Sequence, residues 1–233
     1  MKKSCIALLT LFIFSSCAEL QQVINQLPQG TIGNEEIASG LRQALDMGID
    51  KQVSKLTQTD GFFKNEMVKI LLPDELKKVD KALRDVGLSN LADEGLKVLN
   101  RAAEDAVKEA TPIFVDAVKG ITFADAKNIL LGSDNAATQY LTSRTETALY
   151  AKFNPIIKNS FNKVGADQIW SNLITRYNAL PFTTDVNPNL TDYVTNQALK
   201  GVYTMIAVEE KEIRTNFSSR TTDLLKRVFA LQD

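Results

Sequence analysis

The sequence predicts an all-α fold: a single-domain multi-helix bundle with a buried central helix, behind an N-terminal signal and a flexible tether. Three observations predict it. Pro and Gly fall at helix-length intervals from Asn34 onward. Clusters of Val, Ile and Thr alternating at period two, which a half-buried strand needs, are missing. Leu99, Ala102, Ala103, Ala106, Val107, Ala110, Ile113, Phe114 and Ala117 form an apolar stripe at spacings of three and four.

Each helix has its own start and stop signals. Asn34 suits an N-cap with Glu35 and Glu36 in the first turn, opening a helix to about Gln58 that Thr59-Asp60-Gly61 ends. Pro73, with Asp74 and Glu75 behind it, opens a second helix that Gly87 stops, and Ser89 caps the next. Pro112 lies within the striped third helix and should kink or break it near residue 111. Thr122 and Asp125 have capping-box spacing for a short helix ending at Gly132. A long helix, interrupted by Pro155, is expected from Asp134, with Ser133 at its start, to Val164, and another covers about 166–178. Leu180 to Pro188 is irregular. Leu190 to Arg214 follows, apolar nearly all round at Val202 to Val208, which marks the helix at the centre. Gly201 lets a neighbouring helix approach it. The last helix, from about Ser219, sets Leu224, Leu225, Val228 and Phe229 on one face.

The first residues read as an address. Lys2 and Lys3 precede an apolar run of about ten residues, Cys5 to Phe14, too short to cross about 30 Å of hydrocarbon. It ends in Phe14-Ser15-Ser16-Cys17, which resembles a bacterial lipobox, with Phe14 in place of the usual Leu. The expected organisation is a signal peptide over 1–16, acylated Cys17 and a linker over 17–33, and a helical domain over 34–233. Cys17 is then the lipid attachment site, carrying a diacylglyceryl thioether with palmitate-type chains. Two or three chains give a permanent hold, since each buried methylene contributes about 0.8 kcal/mol. Cys5 leaves with the signal, so no free thiol remains to mispair in an oxidising compartment. The sixteen linker residues reach roughly 55 Å when stretched. Ala18 is not the Asp that retains many lipoproteins at the inner membrane, and a lone Glu19 is no surface-display signal. Outer-membrane placement facing the periplasm is therefore expected.

Composition excludes several chemistries. The chain has no His and two Cys, so Ser-His-Asp and Cys-His machinery and His-containing zinc sites are impossible. With Lys2 and Lys3 removed, 25 basic residues face 28 acidic ones. They are interspersed, which argues against nucleic acid. No cofactor, metal ligand or catalytic residue is nominated.

Several segments resemble an uncharacterised bacterial family, domain of unknown function 4197. They are Thr59-Asp60-Gly61-Phe62, Asn100-Arg101-Ala102-Ala103-Glu104, Asp125-Ala126 with Ile129-Leu130 and Gly132, and Ala136-Ala137-Thr138 with Tyr140. Tyr193-Val194-Thr195, Glu209-Glu210 with Ile213-Arg214, and Arg220-Thr221 leading to Leu224 through Phe229 complete the series. The resemblance implies an exported, often lipidated helical protein and carries no activity, ligand or catalytic residue.

The remaining candidate is a polar cluster of Glu104, Glu210, Arg214 and Arg220. Paired carboxylates at Glu104 and Glu210 would bind a divalent ion or share acid/base work. The preferred reading is surface ion pairing, because Glu104 precedes Lys108 and Glu210 precedes Arg214 by four. Arg101, Arg214 and Arg220 would clamp a phosphate or carboxylate. The plainer reading has Arg214 and Arg220 pinning the last helix through Glu209, Glu210 or Glu104. Tyr140, Tyr150, Tyr193 and Tyr203 need hydrogen-bond partners if buried, and a cavity among them would hold an acyl chain. Three functions follow in order of preference: a non-enzymatic envelope module presenting a surface to a protein, cell-wall or lipid partner; a binder of hydrophobic small molecules; and a carboxylate- or metal-dependent enzyme.

Overall fold

Eight α-helices are present among the described residues, in the order α1 (Asn34–Leu56), α2 (Ser89–Val107), α3 (Ala110–Lys119), α4 (Phe123–Leu130), α5 (Ala136–Asn162), α6 (Ala166–Asn178), α7 (Leu190–Thr215) and α8 (Asp223–Phe229). A 3-10 turn at Phe217–Ser219 joins the last two. The computed structural model describes residues 32–232 except 73–76, 78–80, 82, 83, 86, 88, 180, 182–184 and 186–188. The expected signal, Cys17 and tether, and most of the expected helix after Pro73 and of the 180–188 loop, lie outside the described residues. Those from Asn34 onward make one compact unit, and no strand occurs among them.

α7 is the axis. It packs against α1, α2, α5 and α6, and fifteen of its residues, from Leu190 to Arg214, are buried. Partners on several sides explain why Val202, Tyr203, Met205 and Ile206 are all apolar or aromatic: no wide face meets water. α8 packs on α1 with Leu225, Val228 and Phe229 buried, as their spacing predicts.

The two prolines behave differently from one another. The stripe of the third helix is divided into α2 and α3 at Lys108 and Glu109, one turn ahead of Pro112. Position 108 is where the ring clashes with a carbonyl and removes its donor, and Pro112 then occupies the first turn of α3, where the missing N–H is harmless. α5 instead continues through Pro155. Leu149, Phe153, Ile157 and Phe161 are fully buried on either side, and that burial outweighs the roughly 3 kcal/mol a helix-interior proline costs.

Turn chemistry positions the loops. Thr122 accepts the Asp125 N–H while Asp125 accepts that of Thr122, the reciprocal capping box expected for α4. Asn135, rather than Ser133, is the N-cap residue of α5. The close approach at Gly201 comes from a loop rather than a helix: a Cβ there would stand 2.7 Å from Phe62 Cε1 and 3.3 Å from Val68 Cβ. Phe62, fully buried, thus plugs a notch in α7 that a larger residue would fill.

Candidate functional site

The charged residues nominated on α7 face inward. Glu210 lies four residues after Ile206 and three before Ile213, on the face those two bury. Its carboxylate reaches the start of α5. Oε1 accepts the Ala137 N–H at 2.8 Å, and Oε2 accepts the Thr138 N–H and hydroxyl at 2.8 Å each. The Asn135 side chain makes no capping bond. Glu210 therefore supplies from α7 what a local cap supplies elsewhere: acceptors for two orphan N–H groups and a negative charge at the positive end of the helix dipole.

Arg214 performs the opposite task. Its Nη1 and Nη2 donate to the carbonyls of Leu130 and Ile129 at 3.0 and 2.8 Å, the last residues of α4. Nε and Nη2 also donate to Glu210 Oε1 at 3.0 and 2.8 Å. One ion pair thus spans the negative end of α4 and the positive end of α5, whose connection turns at Gly132. Arg220 extends the pattern, donating from Nε to Ile213 O at 3.1 Å and from Nη2 to Arg214 O at 2.9 Å, at the end of α7. These three side chains hold three helix termini.

Burial corrects the surface-pair reading. Glu210 and Arg214 are paired at the expected i,i+4 spacing, but each is 7% exposed and Arg220 is 2%. A buried pair must offset a desolvation penalty of several kcal/mol per ion, and it does so only if the remaining lone pairs and protons are also bonded. Here they meet helix ends.

Glu104 belongs to a second latch. It is 3% exposed on α2, accepts the Phe62 N–H at 3.1 Å through Oε1 and Arg101 Nη1 at 2.6 Å through Oε2. Arg101 also donates to Asp60 at 2.6 Å. The expected Glu104–Lys108 pair is replaced by Glu104–Arg101 and Lys108–Asp105. Asp60 has φ +67°, a left-handed conformation that Asp tolerates better than most residues. Its carboxyl is held below the usual value, first by the Lys64 hydrogen bond and then by the Arg101 charge. The sequence did not nominate Asn100, which completes this latch: Oδ1 accepts the Ile70 N–H at 2.8 Å, and Nδ2 donates to Ile70 O at 2.9 Å and Leu96 O at 2.7 Å. Gln52 was missed as well; it donates to Glu209 at 2.6 Å, and Lys51 does the same from the surface side.

The nominated residues therefore divide. Glu210, Arg214 and Arg220 meet, whereas Glu104 and Arg101 work on the loop from Thr57 to Leu72. Three tyrosines find partners: Tyr203 with Thr145 at 2.8 Å, Tyr150 with Asp192 at 2.5 Å and Tyr193 with Leu71 O at 2.7 Å. Burial pushes the Tyr203 hydroxyl up to about 12.

Glu209, Glu210 and Arg214 border a cavity of about 20 Å³, closed on the apolar side by Leu41, Leu45 and Phe229. That is space for about one water molecule and none for an acyl chain. Among the described residues no three Asp, Glu or Cys side chains are grouped to hold a metal ion, and no helix is long and apolar enough to cross a membrane.

A family model described as a protein of unknown function (DUF4197) matches residues 31–230. No curated protein and no solved structure matches the chain.

Proposed function

The chain belongs to the family described as protein of unknown function (DUF4197), and from that footing we propose that it is a lipid-anchored protein of the bacterial cell envelope whose helical domain is a non-enzymatic binding or interaction module. The anchor rests on the lipobox-like Phe14-Ser15-Ser16-Cys17, and outer-membrane placement facing the periplasm on Ala18. The module reading rests on one observation: the ionisable groups best suited to chemistry are consumed by structure. Both oxygens of Glu210 are taken up by α5 and Arg214. Both oxygens of Glu104 are taken up by Phe62 and Arg101. Glu210, with five donors on its two oxygens, has no lone pair left for a metal ion or a substrate proton, and Glu104, 3% exposed, spends a bond from each oxygen on the fold. What the fold offers an envelope protein, cell-wall or lipid partner is then its surface.

The hydrophobic-ligand alternative needs more room than the cavity beside Phe229 provides. The enzyme alternative needs a free carboxylate.

The anchor is tested by replacing Cys17→Ser. Loss of palmitate labelling and of partition into detergent supports the proposal; processing and partition identical to the parent overturn it. The module is tested by titrating the parent, Glu104→Gln and Glu210→Gln with Mg²⁺, Mn²⁺ and Zn²⁺ in a calorimeter. Ion heat present in the parent and lost in either variant would replace the module with a metal-dependent site.

A further inference from the structure

One pole of the bundle gathers exposed apolar side chains where the chain enters from its N-terminal segment. Leu130 O accepts both Arg214 Nη1 and Gln232 Nε2, the latter at 2.8 Å. The adjacent residue in each segment, Leu131 after Leu130 and Leu231 before Gln232, is thereby brought to that spot, 60% and 47% exposed. The Arg220 guanidinium lies 5.9 Å from the ring centres of both Phe217 and Phe229. Phe229 is core, whereas Phe217, 51% exposed, is the outer face of that sandwich. Three of seven exposed large hydrophobics among the described residues thus surround the Arg214–Arg220 node.

The same pole is where the described chain begins. Glu36, in the first turn of α1, pairs with Arg227, one turn before Leu231. Asn34 therefore lies close to the apolar group. From this juxtaposition, and resting on the anchored reading above, we propose that this pole lies against the lipid surface that holds the chain, with Leu131, Phe217 and Leu231 as its contacts. The tether runs from Cys17 to Gly33 and enters at this pole, so the bilayer is the apolar medium within reach of it. Isolated exposed hydrophobics need no explanation, but a group of them beside the attachment point acts as a shallow lipid-facing patch. Charge around it is mixed: Lys127, Lys226 and Arg227 stand in the last turns of α4 and α8, Glu35 and Glu36 in the first turn of α1, and Arg227 pairs with Glu36. The contact is accordingly apolar and insensitive to salt.

The tether alone does not dictate this orientation, because at roughly 55 Å of reach it equally allows the domain to stand clear of the membrane. The test uses residues 17–233 coupled through the Cys17 thiol to a maleimide phospholipid, in vesicles of phosphatidylethanolamine and phosphatidylglycerol. Chemical coupling imposes the anchor, so failure here counts against the orientation, while palmitate labelling in cells tests acylation separately. Leu131→Trp, Leu231→Trp and Leu71→Trp are compared with the parent, whose Trp170 supplies the background, using lipids brominated along the acyl chain. Leu71 is 50% exposed and bonded through its carbonyl to Tyr193, about 30 Å along α7 from Arg214 at 1.5 Å per residue.

The expected result is loss of the added emission at 131 and 231 but not at 71, unchanged between low and high salt. Equal quenching at all three positions, quenching at none, or quenching abolished by salt overturns the proposal. A second readout guards against misfolded variants. In the unsubstituted chain, vesicle coupling should slow deuterium uptake at 130–132 and 230–232, and uptake identical to the uncoupled protein also overturns it.

Discussion

Glu210 accepts both the N–H and the hydroxyl of Thr138, 72 residues away in sequence, at 2.8 Å each. A side chain of the central helix thereby caps another helix, and Arg214 one turn on closes the end of a third. Removing one charge should therefore cost more than the pair is worth. Glu210→Ala leaves Arg214 buried without a counterion and is expected to destabilise the domain by about 3–5 kcal/mol. The double change Glu210→Leu with Arg214→Met should recover part of that loss, because no unpaired charge remains. Urea unfolding of the parent, Glu210→Leu, Arg214→Met and the double gives the comparison; additive losses would contradict the coupling.

Asn100 presents an acceptor to Ile70 N–H and a donor to two carbonyls. Asn100→Ala orphans these buried groups, and each costs roughly 1–3 kcal/mol when left unsatisfied. Asn100→Asp should be no better, because it keeps the acceptor but sets oxygen against Ile70 O and Leu96 O. Near-parental unfolding of the Asp variant would show that the amide donor is dispensable.

Gly201→Ala should cost about 1–3 kcal/mol by overpacking, since Phe62 Cε1 would stand 2.7 Å from the new methyl and its ring has no exposed direction to move. Phe62→Leu, destabilising alone, should relieve the alanine. The sum of the two single losses should then exceed the loss in the double variant.

Tyr203 supplies an alkaline signature. Burial raises its folded value to about 12 from 10.0, so folding favours the neutral hydroxyl. Its stabilisation is complete below pH 10.0 and fades as pH rises from there towards about 12. Tyr203→Phe should flatten this part of the stability profile while losing the Thr145 bond. A profile between those pH values unchanged by the substitution would place the titration elsewhere.

Much of the helical layout was legible. The capping box at Thr122 and Asp125, the stripe of α2 and α3 and the apolar girth of α7 are local patterns, repeated within one or two turns, and helices form on that scale. The break before Pro112 was legible from its ring, but the continuity through Pro155 was not, because the same local chemistry met a different amount of surrounding burial. For the polar residues a signal existed but pointed two ways. Glu210 is four residues from Arg214, which reads as a surface pair, and equally in register with Ile206 and Ile213, which reads as buried. Asn100 sits four after Leu96 and three before Ala103, inside the apolar stripe. A polar residue in core register implies a buried partner, and that rule would have singled out both.

By itself the sequence determined helix type, most boundaries and which helix lies at the centre, because periodicity and capping act over a few residues of one chain segment. Only the tertiary structure decided what Glu104, Asn100, Glu210, Arg214 and Arg220 do. Their partners are backbone groups at loops and helix ends brought from elsewhere in the chain. Which helix end meets which carboxylate is set by packing, and neither end of such a bond marks the other in sequence.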